Sequence, residues 1–482
     1  MLQVMRSFLT AASLVLLGCA PAASPPAASP AAPGAPGAPG APASPAAVAA
    51  PAEPAASAAP EALPLRFVED DLPGATTRAR AEGKALFVDA WAPWCHSCLS
   101  MKNFVLSDPA LRPLAARVVF ASIDTDRPES AAFLERHAVK AWPTFFVIDP
   151  TTERVLGYWA GSGSLREVRG LIDEGLAAMR GSAADPASRA FAEARAAHAG
   201  GDLTPAAAAY ERAITAATPA WPNRSAALLG WIEALAGARA WPACVRVGQA
   251  HAGELVGSSA PADFASYLLT CASKLPAGPE QSAARRVAVA RLREFTARPP
   301  ADASVDDRQD ALDILSDGLD ALGDAAGARR AQEERLTLLE QAARAARAPE
   351  IAHTFDYARA NAYVALGRAD EAARMLEQRE RELPDSYEPP ARLAGVLLKA
   401  GRLPEARAAV ERAISKSYGP RRLRYLGLRA EIQVRQGDVA GALATLREEV
   451  KGSEALPPGQ ASPERVADVK RRLNEAEKRA AP

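Results

Sequence analysis

Two kinds of hydrophobic spacing follow one another along the chain. Between residues 63 and 181, short apolar runs of strand length alternate with segments in which apolar residues recur at helical spacing. The apolar runs occupy residues 85–91, 118–123, 144–148 and 155–160. The helical segments occupy residues 73–83, 95–106, 131–137 and 165–179. Strands that alternate with helices, closed by a hairpin and a helix, predict an α/β domain over residues 63–181.

The pattern changes after residue 186, where Ala, Leu, Arg and Glu recur at helical spacing up to residue 480. Glycine followed by Arg or Asp returns at Gly201, Gly323, Gly367, Gly401 and Gly437, and the last three glycines are 34 and 36 residues apart. Glycine suits the end of the first helix of a pair. This spacing resembles that of tetratricopeptide repeats, which stack helix pairs and bind proteins or peptides. The resemblance implies an all-α repeat solenoid over residues 186–480.

The first residues of the chain have the pattern of an export signal. Arg6 precedes an apolar stretch at 8–17, which is too short to span a bilayer. Residues 16–19, Leu-Leu-Gly-Cys, resemble a bacterial lipobox, which implies a signal peptide over residues 1–19 and a lipid anchor on Cys19. An ordinary signal peptide with a chance cysteine is the alternative. Ala20 stands where aspartate would suggest inner-membrane retention in well-studied lipoproteins, which favours the outer membrane of a bacterial envelope.

Residues 20–62 consist almost only of Ala, Pro, Gly and Ser. Such a segment cannot bury a core, and its prolines exclude a continuous helix and favour extended conformations. At ~3.1 Å per residue it could reach on the order of 100 Å. We therefore interpret the segment as a tether that holds the folded part away from a membrane.

Charge and cysteine content exclude several classes of protein. Lys plus Arg and Asp plus Glu number 57 each, which gives a formal net charge of +0, and no basic block marks a nucleic-acid surface. Five cysteines in 482 residues are too few for a small disulfide-stapled domain. The chemistry must therefore come from a small number of side chains.

A cysteine pair follows the first strong apolar run. Cys95 and Cys98 are three residues apart at the start of a predicted helix, so both sulfurs lie on nearly one face of its first turn and can close a disulfide. The free backbone N–H groups and the dipole at a helix N-terminus favour a thiolate there. We therefore predict that Cys95 is the attacking sulfur.

The residues around this pair resemble the active site of the thioredoxin superfamily. The matching residues are Val88, Asp89, Trp91, Ala92, Trp94, Cys95 and Cys98. Lys102 and the segment 104–110 are most similar to the periplasmic C-terminal domain of DsbD-type thiol:disulfide interchange proteins. The resemblance implies a thioredoxin fold over residues 63–181 and disulfide exchange with cysteine-containing proteins. It implies no cofactor beyond the redox-active Cys95–Cys98 disulfide.

The resemblance also implies roles for neighbouring residues. Asp89, inside an apolar strand, would be the buried acid that helps to take the proton from Cys98; a strand-end carboxylate facing solvent is the alternative. Pro143 would be a cis-proline beside the cysteines, where the backbone pairs with an extended substrate chain; a trans proline entering a strand is the alternative. Trp94 and Trp142 are predicted to contribute to this substrate-binding rim.

His96, which lies inside the motif, has two open interpretations. A partly charged imidazole beside Cys95 would stabilise the thiolate and make the disulfide more oxidising. Alternatively, His96 is an exposed side chain without effect. We count it among the substrate-binding candidates.

The remaining cysteines also leave two interpretations open. Cys244 and Cys271 lie in neighbouring predicted helices and could form a structural disulfide in an oxidising compartment. They could instead be buried thiols between closely packed helices. We predict no metal site, because the single CxxC has no second cysteine pair and no nearby histidine pair.

The sequence as a whole predicts a membrane-tethered thiol–disulfide oxidoreductase that faces the periplasm, with the direction of electron flow left open. Its expected partners are cysteine-containing proteins, a membrane redox partner that recharges the cysteines, and a protein or peptide on the repeats, but no nucleic acid. The alternative is a scaffold lipoprotein in which the repeats carry the function and the thioredoxin-like domain is a docking module.

Overall fold

The computed structural model describes residues 65–181 and 185–480, which belong to one compact unit. The predicted signal peptide at 1–19, the lipidation site Cys19 and the tether at 20–62 lie outside these residues. Among the described helices, none has both the length and the apolar character needed to cross a membrane.

A five-stranded sheet forms the centre of the α/β part. Its strands are β1 (Phe67–Glu69), β2 (Ala85–Trp91), β3 (Val118–Asp124), β4 (Thr144–Ile148) and β5 (Val155–Ala160), in the spatial order β1-β3-β2-β4-β5. The central strand β2 is parallel to β3 and antiparallel to β4. Every residue of β3 and β4 is buried, as expected for a sheet that is covered on both faces.

Helices cover both faces of the sheet. They are α1 (Leu72–Glu82), α2 (His96–Ser100), α3 (Ala131–Arg136) and α4 (Leu165–Met179), with 3-10 segments at Pro109–Ala116 and Pro128–Ser130. One apolar core contains Phe87, Phe120, Phe145, Met101 and Ile172. The other contains Val88, Phe146, Ala79 and Phe133. Because successive side chains of a strand point to opposite faces of the sheet, Phe87 and Val88 belong to different cores.

The longer elements agree with the sequence-based prediction, whereas two short ones differ. The strands predicted at 85–91, 144–148 and 155–160 are confirmed. Strand β1 was not predicted, because three residues are too few to display a period. The helix predicted at 95–106 begins at His96 and widens after Ser100 into a π-helical turn, in which the Leu106 N–H donates to the Met101 carbonyl five residues back.

The C-terminal part is entirely helical among the described residues, which confirms the predicted all-α region. Its helices are α5 (Pro186–Gly200), α6 (Leu203–Ala216), α7 (Arg224–Gly237), α8 (Trp241–His251), α9 (Ala260–Ala272), α10 (Pro279–Ala297), α11 (Val305–Ala321), α12 (Ala325–Ala345), α13 (Pro349–His353), α14 (Asp356–Ala365), α15 (Ala369–Glu382), α16 (Glu388–Lys399), α17 (Leu403–Lys416), α18 (Gly419–Gln436), α19 (Val439–Glu454) and α20 (Pro463–Ala480). Successive helices pack against one another, for example α5 with α6 and α16 with α17.

The recurring glycines end helices as predicted. Gly201, Gly323, Gly367, Gly401 and Gly437 have φ values between 74° and 85°. This left-handed region is open to glycine and costly for residues with a Cβ atom, which explains why the turns between helices repeat this residue.

Cys244 of α8 and Cys271 of α9 form a disulfide. Both residues are fully buried where the two helices meet. The structure therefore supports the bridged alternative rather than two buried thiols.

The first repeat helix shares a core with the sheet. Ala199 of α5 belongs to the apolar cluster that contains Phe146. The Ala138 N–H donates to the Ala199 carbonyl at 2.7 Å. The rings of Tyr158 in β5 and His198 in α5 lie with their centroids 4.9 Å apart. The predicted domains at 63–181 and 186–480 thus pack against each other along β5.

Later repeats contact the loops at the end of the sheet where the CxxC motif lies. The Tyr418 hydroxyl donates to the Asp124 carboxylate. Gln460 Nε2 donates to the main-chain carbonyls of Thr125 at 2.9 Å and Arg127 at 2.7 Å. The repeats therefore hold the sheet at β5 and also at the loop that follows β3.

Candidate active site

A disulfide joins Cys95 and Cys98 at the N-terminus of α2. Cys95 is the N-cap residue of this helix, and the backbone N–H of Cys98 donates to Cys95 Sγ at 3.0 Å. A donor at this position stabilises negative charge on the sulfur once the bond is reduced. Each cysteine is only 1% exposed, so the reactive sulfurs are covered in this state.

The loop before β4 meets the CxxC turn. The Trp142–Pro143 peptide bond is cis, as predicted. Ser97 Oγ donates to the Trp142 carbonyl at 3.2 Å and lies 3.5 Å from Cys95 Sγ. The rings of Trp94 and Trp142 contact each other with 5.1 Å between their centroids. The structure thus brings the predicted rim residues together beside Cys95.

Asp89 is 1% exposed, so the alternative of a carboxylate facing solvent is wrong. Its Oδ2 accepts a hydrogen bond from Ser122 Oγ at 3.2 Å on the neighbouring strand. Burial raises the pKa of Asp89 to about 7, although the positive charge of Lys102 and the Ser122 hydrogen bond favour the carboxylate. A carboxyl group that titrates near neutral pH is suited to exchange a proton with a thiol.

His96 is 5% exposed, so the alternative of an exposed side chain is wrong. Its ring stacks on Tyr357 of α14 with 5.1 Å between centroids. Its Nε2 lies 3.6 Å from Asp306 Oδ1 and 3.8 Å from Asp310 Oδ1, both on α11. Burial opposes the charged imidazole, but these two carboxylates outweigh it and raise the pKa of His96. The side chain therefore faces the repeats.

Trp94 contacts two arginines of the repeats. Arg392 of α16 donates to the Trp94 carbonyl at 3.1 Å, and the guanidinium of Arg421 on α18 lies over the indole, 4.4 Å from the ring centroid. Arginine above an indole face is a favourable cation–π contact. Trp94 Nε1 also donates to Asp126 Oδ2 at 2.7 Å. The rim residue that was predicted to meet a substrate is therefore packed against the protein's own helices.

Sequence reasoning missed the repeat residues that complete this site. They are Asp306, Asp310, Tyr357, Arg392 and Arg421, each more than 200 residues from Cys98. The spacing of Asp306 and Asp310 places two carboxylates on one helix face, but nothing in that spacing identifies His96 as their neighbour. The tertiary fold alone brings these residues to the CxxC turn.

Family models match two parts of the chain. A thioredoxin-like family matches residues 68–150, and a tetratricopeptide repeat family matches residues 363–432. The first range lies in the α/β part and contains the CxxC motif, whereas the second runs from α14 into α18.

Curated relatives cover short parts of the chain. The thiol:disulfide interchange protein DsbD of Yersinia enterocolitica is 33% identical over 100 residues, which are 19% of this chain and 17% of that protein. Protein disulfide-isomerase 1 of Dictyostelium discoideum is 30% identical over 70 residues, which are 14% of this chain and 19% of that protein. The chain thus spans less than a fifth of the length of these relatives.

Solved structures that are similar to the chain at low identity include two repeat proteins. A tetratricopeptide repeat protein from Parabacteroides merdae is 14% identical with a TM-score of 0.40, covering 61% of this chain and 100% of that chain. A TPR protein from Thermus thermophilus is 19% identical with a TM-score of 0.28, covering 40% of this chain and 90% of that chain.

The five-stranded sheet, the CxxC motif at a helix N-terminus and the family match define a thioredoxin-like domain. In this chain, a thioredoxin-like domain is followed by tetratricopeptide repeats.

Asp89→Asn is expected to change the pH dependence of stability. The unfolded chain releases the Asp89 proton near the ordinary pKa of 3.8, whereas the folded chain holds it up to about 7. The ionisation of Asp89 therefore lowers the free energy of unfolding of the wild type as the pH rises from about 4 to about 7. Asp89→Asn lacks this ionisable group and does not lose stability in this way. Free energies of unfolding in urea should show Asp89→Asn gaining on the wild type between about pH 4 and about pH 7.

Asp173→Asn, at an exposed position of α4, is the matched control. Because other buried carboxyls titrate in the same range, the informative quantity is the difference between the wild-type and variant profiles. Parallel profiles for Asp89→Asn and the wild type would contradict a buried Asp89 that titrates near neutral pH.

Proposed function

We propose that the chain is a thiol–disulfide oxidoreductase that exchanges disulfides with cysteine-containing proteins through Cys95 and Cys98. The observation that carries the proposal is the disulfide at the N-terminus of α2, with the Asp89 carboxyl group buried in the strand that leads to it. The partial similarity to a thiol:disulfide interchange protein supports it.

The proposed exchange has two steps. In the reduced protein the Cys95 thiolate attacks one sulfur of a partner disulfide, and the other partner sulfur leaves as a thiolate. Cys98 then gives its proton to Asp89 and attacks Cys95 Sγ, which breaks the mixed disulfide. The partner leaves with two thiols after proton uptake, and the protein keeps the Cys95–Cys98 disulfide. The reverse sequence oxidises a partner dithiol.

Exchange with a protein partner requires the repeats to move away from the CxxC turn. Each cysteine is 1% exposed, and Arg392 and Arg421 close α16 and α18 over Trp94. A partner sulfur must come into contact with Cys95 Sγ, and the burial of Cys95 leaves no open surface for that contact. We infer that the closed arrangement is the resting oxidised state and that opening precedes exchange.

We further propose that the protein is a lipoprotein of the bacterial envelope that faces the periplasm, with the outer membrane favoured. The lipobox-like residues that end at Cys19 and the segment at 20–62 support this placement. A tethered oxidoreductase needs a second redox protein to restore its cysteines, so we propose a membrane redox partner. The repeats would recruit a protein or peptide near the thiol site.

A scaffold function is the second candidate, and the burial of the cysteines favours it. In this account the thioredoxin-like domain docks on the repeats through its CxxC face, and the repeats carry the function. The Cys95–Cys98 disulfide would then be structural, and its removal would leave partner binding unchanged.

Cys98→Ser is expected to accumulate mixed disulfides between Cys95 and partner proteins, because the resolving sulfur is missing. Affinity capture of the tagged full chain from bacteria, followed by non-reducing electrophoresis, detects adducts that disappear on reduction. Cys95→Ser/Cys98→Ser is the control for capture without a covalent bond. Adducts no more abundant than in this control would favour the scaffold function.

Replacing both Arg392 and Arg421 by Ala is expected to speed the reduction of Cys95–Cys98 by a small dithiol roughly tenfold, because a cation–π contact and a hydrogen bond that hold the closed state are lost. Thiol alkylation over time, read by mass spectrometry, measures the rate. Arg435→Ala on α18, which removes an exposed arginine paired with Glu431, is the control. Equal rates in all three proteins would mean that these contacts do not limit access.

Cys19→Ser is expected to move the protein from the membrane fraction to the soluble fraction, because a membrane anchor of acyl chains is lost. Fractionation of bacteria that express the full chain, with immunodetection, measures the change. The double variant Cys95→Ser/Cys98→Ser keeps Cys19 and is the control, which should remain in the membrane fraction. A Cys19→Ser protein that also stays there would contradict the lipid anchor.

A further inference from the structure

We propose that His96, Asp306 and Asp310 form a binding site for a divalent transition-metal ion such as zinc, placed between the CxxC turn and the repeats. His96 comes from α2, whereas both aspartates come from α11. The site concerns the oxidised, closed protein and does not depend on the proposed redox function.

The three ligand atoms have separations slightly larger than those around a bound zinc ion. His96 Nε2 lies 3.6 Å from Asp306 Oδ1 and 3.8 Å from Asp310 Oδ1, and all three atoms lie within 4.8 Å of one another. Zinc bonds of about 2.0–2.2 Å to nitrogen and oxygen place tetrahedral ligands roughly 3.4 Å apart. A small contraction of the cluster around an ion would satisfy this geometry.

Supporting contacts hold the ligands in place. Asp306 and Asp310 are one helical turn apart, so α11 presents both carboxylates on one face. Gln309 Nε2 donates to Asp306 Oδ1 at 3.2 Å, and the Tyr357 ring stacks on the imidazole of His96. Such outer contacts orient the ligands of metal sites in proteins.

One carboxylate oxygen of the cluster is buried without a hydrogen-bond partner. Asp306 is 3% exposed, and its Oδ2 has no hydrogen-bond partner. The charged groups that act most strongly on His96 are two carboxylates and one guanidinium, that of Arg392. Arg392 itself pairs with the buried carboxylate of Glu388 at 2.9 Å. A buried carboxylate oxygen without a partner is costly, and a divalent ion bound here would stabilise that of Asp306.

The cluster also leaves a route for an ion and room for a further ligand. The side chain of Asp310 is 34% exposed, whereas those of His96 and Asp306 are 6% and 3% exposed. Water could therefore reach the ion beside Asp310 and complete its coordination. One imidazole with two carboxylates suits zinc and its neighbours among the transition metals better than magnesium or calcium, which prefer oxygen ligands alone.

Zinc binding by the oxidised full chain tests the proposal. Cys19→Ser is introduced into every protein, because the other four cysteines are then held in the Cys95–Cys98 and Cys244–Cys271 disulfides and cannot bind zinc as thiolates. After treatment with EDTA, the protein is dialysed against Zn²⁺ at neutral pH and its bound metal is measured by mass spectrometry. We expect one zinc ion per chain, which magnesium at the same concentration does not displace.

Three variants distinguish zinc bound at this site from zinc bound elsewhere on the protein. Asp310→Asn should weaken zinc binding by ~10-fold or more, because a ligand is lost. Asp310→His keeps a metal ligand at the same position and should retain the ion. Asp320→Asn, an exposed aspartate near the end of α11, should bind zinc like the wild type.

Two results would overturn the proposal. One is that the EDTA-treated Cys19→Ser protein takes up no zinc at neutral pH, which would leave His96 in an ion pair with the two aspartates. The other is that Asp310→Asn retains the wild-type affinity, which would place any bound zinc elsewhere. Asp310→His keeps the test informative if Asp310→Asn fails to fold.

Discussion

The packing of the repeats over the CxxC turn is the constraint on which the rest of the structure depends. Arg392 and Arg421 contact Trp94, and these contacts place α16 and α18 against the residue that precedes Cys95. Next to this contact, Cys95 and Cys98 are each 1% exposed. The chain therefore combines a buried CxxC disulfide with repeats of the same chain that pack against it, and the proposed disulfide exchange would require this packing to open.

Local patterns predicted most of the thioredoxin-like part. Strand β2 was predicted because an apolar run of strand length is visible without any knowledge of the fold. The burial of Asp89 and the cis bond at Pro143 followed from resemblance to a known family, and both are present. The helix ends at glycines such as Gly401 followed from the repeat spacing, because a left-handed turn has a local residue requirement.

The completion of the site could not be predicted, because it depends on contacts between distant segments. His96 was assigned either to the thiolate or to solvent, yet its ring faces Asp306 and Asp310. The contact of Arg421 with Trp94 could not be predicted either, because it depends on how the repeats pack around the sheet. A single sequence shows the helical periodicity within each repeat, but it does not show which face of a helix contacts another domain. The cover over the cysteines was therefore visible only in the fold.

The most direct test of the account is a redox titration of the full chain in glutathione buffers, with each disulfide followed separately by thiol trapping and mass spectrometry. The account predicts a reversible two-electron couple for Cys95–Cys98 with a midpoint between about −270 and about −120 mV, the range of thioredoxin-type proteins. The buried Cys244–Cys271 disulfide serves as the internal reference and should stay oxidised. A Cys95–Cys98 midpoint below about −300 mV, as for structural disulfides, or the lack of a reversible couple, would contradict the account.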